Sequence, residues 1–169
     1  RVMTHLSLPA HTGPLRRLSV LVRAGDALLA GLPHSLAALA LRIALAVPFF
    51  RSGLTKWDAP FVLSDSAIFL FKDEFRLHLF GAEFAYPFPE AMAFLAGCGE
   101  IALPVLLVSG LGTRFAALGL LVMTAVIQLT IPDGWANFHL PWAAMALGVL
   151  ALGPGRLSLD AMSGLTTRR

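Results

Sequence analysis

The sequence predicts an all-α integral membrane protein, a four-helix bundle with one or two short interfacial amphipathic helices. Three observations predict it. The first is composition: residues of the set AVILMFWYC fill 57% of 169 positions and only 14% are charged, against about 25% charged in soluble domains. With a mean hydropathy of +0.75, a soluble fold would lack polar groups to cover its surface. The second is a set of four apolar segments, at 35–57, 89–111, 114–131 and 140–152. The third is a one-sided distribution of basic residues. The length suits one domain, and the high hydrophobicity excludes a disordered chain.

The elements follow in order, over a tail at 1–33, a membrane domain at 34–160 and a tail at 161–169. Residues 1–14 are expected to be disordered. Over 15–31, Leu18, Leu21, Val22, Leu28 and Leu29 recur at helical spacing, with Arg16, Ser19, Arg23 and Asp26 on another side. That pattern predicts an amphipathic helix lying in the cytoplasmic interface. A cleavable signal peptide fits less well, because Pro33-His34-Ser35 is a polar break and no small-residue cleavage site follows the apolar stretch.

The first three apolar segments approach the roughly 20 residues that cross a hydrocarbon core. The fourth is short. Counting back through Trp135 and Phe138 lengthens it, while Pro141 favours a helix start; the alternative is three spans and a re-entrant fourth. Between the first two spans, residues 66–80 are rich in Phe and charged, which predicts a second interfacial helix. Tyr86-Pro87-Phe88-Pro89 gives a rigid entry to the second span, and Gly110-Leu111-Gly112-Thr113 a tight turn to the third.

Basic residues set the orientation. Arg1, Arg16, Arg17, Arg23, Arg114, Arg156, Arg168 and Arg169 fall on one side and Lys56, Lys72 and Arg76 on the other, with Arg42 and Arg51 inside the first span. Eight against three predicts both termini in the cytoplasm. A net charge of +3 with only two Lys fits headgroup contacts and excludes a nucleic-acid face.

Motif chemistry is sparse. The chain has no P-loop, HExxH or GxSxG, and Cys98 stands alone, which excludes an intrachain disulfide or a CxxC metal site. No two His lie at helical spacing within a span, so no haem or metal is predicted; His139 falls at the outer mouth of the fourth span. The informative groups are ionisable side chains at membrane depth, each costing roughly 2.5–3.5 kcal/mol at a helix centre. Glu100 lies near the middle of the second span and Arg42 in the cytoplasmic half of the first. Gly53, eleven residues after Arg42 and so about 1100° further round, shares its face, and Lys56 falls within about 40° of it. Arg51 points about 180° away. Gln128 is the strongly polar group of the third span, while Ser109 and Thr124 are expected to bond back to their own helices. Three readings stay open: an Arg42–Glu100 pair that fixes helix register, a Glu100 that relays protons or polarises a ligand, or a neutral Glu100 bonded to Gln128. Trp57, Trp135, Trp142 and Tyr86 form an aromatic belt.

Several stretches resemble the DoxX family of small bacterial inner-membrane proteins. They are Arg42-Ile-Ala-Leu-Ala with Phe49-Phe-Arg-Ser-Gly-Leu-Thr-Lys-Trp57, Ala96-Gly-Cys-Gly-Glu-Ile101, Gly110-Leu-Gly-Thr-Arg114, and Leu152-Gly-Pro-Gly-Arg-Leu-Ser-Leu-Asp160. The resemblance spans about residues 36–160 and rests on Arg42, Ser52, Gly53, Lys56, Glu100, Arg114 and Arg156. It implies a four-helix protein linked to quinone-coupled sulfur oxidation or redox-stress complexes. The insert at 66–80 and the basic N-terminal helix depart from the family pattern.

Three functions follow as expectations. The first is a quinone-linked redox subunit, with Glu100 and Arg42 as the chemical groups and Ser52, Lys56 and Gln128 lining a quinone pocket. As no flavin, haem or metal motif is present, the electrons would come from a substrate or partner protein. The second is an anchor or assembly subunit of a larger membrane complex, docking through 66–80. The third, a small transporter, lacks the expected inverted repeat.

Overall fold

The computed structural model describes residues 14–164, with side chains from residue 18. The expected disorder at the N-terminus and the tail bases Arg1, Arg168 and Arg169 lie outside the described residues. Two units form, residues 1–33 and 34–169. In the first, α1 (Pro14–Ala30) opens on Pro14, where a missing N–H costs nothing. Its Leu18, Leu21, Leu28 and Leu29 are exposed, forming the apolar stripe that an interfacial helix needs.

The second unit holds four helices long and apolar enough to span a membrane: α2 (His34–Leu54), α4 (Pro89–Ser109), α5 (Thr113–Thr130) and α6 (Leu140–Leu152). The fourth span is longer than α6 itself. A 3-10 turn, Pro132–Gly134, and a π turn, Trp135–His139, run straight into it, giving 21 residues. The full span therefore includes Trp135 and Phe138, and Pro141 occupies the first turn of its α-helical part.

The helices close a ring in the order α2–α4–α5–α6, with α6 returning to α2. At its centre lie Leu45 and Phe49 of α2, Leu107 of α4, Leu120 of α5 and Val149 of α6, all buried. Small residues set how close the helices come. A Cβ on Gly53 would meet the Glu100 backbone at 3.0 Å, and Gly99 and Gly119 hold α4 and α5 together against Met123 and Leu103. Gly97 instead receives the Trp57 ring. Phe115, Leu118 and Leu147 point outward to face lipid. Between α4 and α5, Gly110 and Gly112 have φ of +75° and +58°. Leu111 N–H bonds the Leu106 carbonyl at 3.0 Å, a left-handed helix end.

The connection between α2 and α4 departs from the expected helix over 66–80. Two short strands, β1 (Trp57–Ala59) and β2 (Val62–Leu63), pair antiparallel. Then α3 (Asp65–Phe69), capped by Ser64, runs through a π turn at Leu70–Glu74. Helix ends there. β3 (Arg76–Leu79) and β4 (Ala82–Ala85) form a hairpin about Phe80-Gly81, whose φ values are +53° and +81°. Two successive left-handed residues close a tight two-residue hairpin, and Arg76-Leu-His-Leu79 alternates with the period of a strand. Phe71 packs on Phe75 and Tyr86, and Tyr86 Oη bonds Thr130 Oγ1 at 2.6 Å, which seats the connection on the bundle end. Beyond α6, a short α7 (Leu159–Met162) follows a glycine-rich bend.

Candidate functional site

Two polar clusters occupy opposite ends of the ring. The first gathers around Arg42, which is 1% exposed. Its Nε donates to the Leu107 carbonyl at 2.7 Å and Nη2 to Val108 at 2.5 Å, while Nη1 donates to Pro154 and Leu157 at 2.8 Å each. Leu107 and Val108 belong to the last turn of α4, whose carbonyls have no partner within the helix and carry the negative end of its dipole. The planar guanidinium fits four acceptors at once, as an ammonium would not.

Asp160 completes the cluster from α7. It accepts from the Gly112 and Thr113 amides at 2.8 and 2.9 Å and from the Thr113 hydroxyl at 2.8 Å. Its own N–H donates to the Gly110 carbonyl at 2.8 Å. A carboxylate thus caps the positive end of α5. Two further basic residues of the DoxX-like pattern tie the same end. Arg114 Nε donates to the Leu150 carbonyl at 3.1 Å, and Arg156 N–H to the Ser35 hydroxyl at 3.1 Å. No Arg42–Glu100 pair forms. Arg42 lies two turns of α4 away from Glu100, because the helix-end carbonyls and the bend at 154–157 offer it four acceptors.

Burial raises the Asp160 carboxyl, but the bonds from Thr113 and Gly112 and the charge of Arg42 outweigh it. The group sits below its ordinary value of 3.8. A carboxylate depressed by folding contributes stability above its unfolded value that is lost as pH falls through the folded one. Wild-type protein should therefore lose melting temperature on acidification below about pH 4, and Asp160→Asn should flatten that dependence. At neutral pH the variant should be less stable by about 1–3 kcal/mol, as read by thermal unfolding in detergent.

The second cluster lines a cavity of about 820 Å³ at the other end, walled by α2, α4, α5 and the run-in to α6 and roofed by Phe71, Phe75 and Tyr86. Its walls are mostly apolar. On one side Lys56 Nζ meets Glu100 Oε2 at 2.5 Å and the Ser52 hydroxyl at 3.2 Å. The pair is largely buried, with side-chain exposures of 12% and 6%. Gly53 permits it, since α2 approaches α4 at Glu100 itself. The face shared by Gly53 and Lys56 thus brings Ser52, Lys56 and Glu100 together, whereas Arg51 is exposed.

Gln128 lies behind the cavity wall. Its Nε2 donates to the Pro132 carbonyl at 3.1 Å and its Oε1 meets His139 Nδ1 at 2.6 Å, so it does not bond Glu100. Ser109 and Thr124 do bond back to their own helices, at Leu106 and Leu120. Of the expected belt, Tyr86 sits just ahead of α4, but Trp142 falls midway along the lengthened fourth span; both line the cavity, Trp142 packing at a tilt against Phe49 and His139.

Sequence reasoning passed over His139 and Asp160. The signal for His139 was the lengthened fourth span, which moves it from the mouth into the helix. Asp160 stood in a matched motif, but nothing local points it at residue 113. Among the described residues no three His, Cys, Asp or Glu come together to hold a metal.

The model of the DoxX family matches residues 37–133, from the start of α2 to the turn after α5. A curated relative, an uncharacterized protein of Haemophilus influenzae, is 28% identical over 149 residues, covering 81% of this chain and 89% of that protein. No solved structure matches.

Proposed function

The chain belongs to the DoxX family of membrane proteins, and from that premise we propose that it is a quinone-linked redox subunit of a bacterial inner-membrane complex, with both termini cytoplasmic. The observation that carries this reading is the cavity. At about 820 Å³ it falls within the roughly 300–1,000 Å³ of small-molecule sites, which pair apolar walls with a few fixed polar groups. A quinone has the same division, an apolar body and two ring oxygens. Its fit rests on the Lys56–Glu100 pair and Ser52 along one wall and the rings of Phe49, Trp142 and Phe71 around them.

A bound quinone would supply two-electron, two-proton carrier chemistry, with a substrate or partner protein as electron donor. The Lys56 ammonium offers a donor and a positive charge to a ring oxygen. Glu100 balances that charge and can take or release a proton at Oε1 or Oε2. Ser52 orients Lys56 from one turn back. Apolar walls and the aromatic roof keep water from the pair. Gln128 stays behind the cavity wall, and Arg42 holds the far end of the bundle.

The test is quinone reduction by membranes of a deletion strain carrying wild type, Lys56→Met or Glu100→Gln. Each substitution should lower the rate at least tenfold at equal protein level. A second reading, a non-catalytic anchor, is favoured by one observation: Phe80, at the tip of the β3–β4 hairpin, is 105% exposed in a left-handed conformation that Phe rarely adopts. Full activity in both variants, with activity lost on shortening residues 76–85, would establish the anchor instead.

A further inference from the structure

His139 is a group that the reading above leaves unused. It is 3% exposed and lies in the cavity wall opposite in sequence and element to Lys56 and Glu100, on the π turn leading into α6. Its protonation pattern follows from its neighbours. The Pro132 carbonyl can only accept, so the Gln128 amide must turn its NH2 group toward it, at 3.1 Å. That leaves Gln128 Oε1, an acceptor, 2.6 Å from His139 Nδ1. Nδ1 therefore carries the proton, and in the neutral ring Nε2 is an acceptor. No carboxylate of the described residues pairs with the ring; Asp133, six residues earlier, lines the same cavity without forming a salt bridge to it. Among the described residues no hydrogen bond is made at Nε2, and the ring lines the cavity.

The ring is also fixed in place. It packs on Gly134 so closely that a Cβ there would stand 2.7 Å from Nε2. Trp142 covers it at a centroid distance of 5.4 Å. A side chain held this way, by Gln128 on one edge and by ring contacts on its faces, presents one lone pair in one direction. An acceptor in an apolar wall is matched only by a ligand that brings a donor.

We infer that His139 Nε2 accepts a hydrogen bond from a ring hydroxyl of the bound molecule, so that the cavity prefers the hydroxyl-bearing, reduced form of a quinone-type head over a form without a donor. This rests on the reading of the cavity as a quinone site. His139 is then a specificity-determining residue, and Gln128 a positioning residue that sets its tautomer. The two walls divide the recognition. Lys56 donates to an oxygen that accepts, and His139 accepts from an oxygen that donates.

The experiment uses the full chain in phosphatidylcholine nanodiscs. A short-tailed benzoquinone quenches Trp142, and two competitors of equal tail length, a 4-alkylphenol and the matching 4-alkylanisole, are titrated to relieve the quenching. They differ by one hydrogen-bond donor. The phenol should displace quinone at a concentration at least tenfold below the anisole. His139→Phe should bring the two within twofold of each other while still binding quinone. Gln128→Met, which leaves the imidazole but frees its tautomer, should reduce the preference to an intermediate ratio, and it decides the matter if His139→Phe binds no quinone. Equal displacement by phenol and anisole in wild type overturns the inference and leaves the quinone reading standing. An undiminished preference in both variants also overturns it. If quinone fails to quench wild-type protein, the quinone reading falls, and the assignment of His139 with it.

Discussion

Arg42→Met should destabilise the bundle by about 3–5 kcal/mol, the loss seen when one partner of a buried charge cluster is removed. The substitution removes a donor from the carbonyls of Leu107, Val108, Pro154 and Leu157 and takes from Asp160 its nearby positive charge. Lipid offers no replacement donor to the carbonyls at the end of α4. Arg42→Lys should recover only part of the loss, because a point charge on a flexible stem serves fewer acceptors. Unfolding in detergent measures both. Adding Glu100→Gln should then lower stability further by its own separate amount, since sites without shared partners combine additively within roughly 0.5 kcal/mol. Compensation between the two substitutions would instead restore the Arg42–Glu100 pairing considered from the sequence.

Glu100→Gln alone should cost about 2–4 kcal/mol by leaving the Lys56 ammonium at membrane depth with only Ser52 to bond. Lys56→Met combined with Glu100→Gln should return to within about 1 kcal/mol of wild type, because exchanging a whole buried pair for uncharged groups is often neutral. The double variant carries the decisive measurement. A bundle that is stable yet no longer quenched by quinone assigns the pair to binding. A stable bundle that binds quinone as before assigns it to helix register.

The part of the fold legible in the sequence was whatever has a local signature. Apolar runs marked four spans, and Gly110 and Gly112 marked the one tight turn between them. The helical face of Arg42, Gly53 and Lys56 marked one wall of the site, since angular position along a single helix needs no knowledge of neighbours. Partner choice was another matter. Arg42 and Glu100 are both costly in lipid, and pairing them is the simplest remedy when only side chains are counted. The actual partners of Arg42 are backbone carbonyls more than a hundred residues away in the case of Pro154 and Leu157, and carbonyls carry no residue identity to read. His78 and Leu79 were read as helix because the Phe and charge content of 66–80 fits an interfacial helix. The two-residue alternation of β3 covers only four positions, too few to stand out beside it.

The bonds of Arg42 also fix an order of events during synthesis. The first span enters the membrane carrying a guanidinium whose acceptors are not yet made. The Leu107 and Val108 carbonyls arrive with α4, those of Pro154 and Leu157 only after α6, and Asp160 later still. Until then the charge must be held by water or headgroups near the membrane surface. Closure of the ring is therefore the last step rather than the first, and it depends on a segment beyond the final span. A chain stopped at α6 would contain all four membrane helices and still leave Arg42 Nη1 without either of its acceptors.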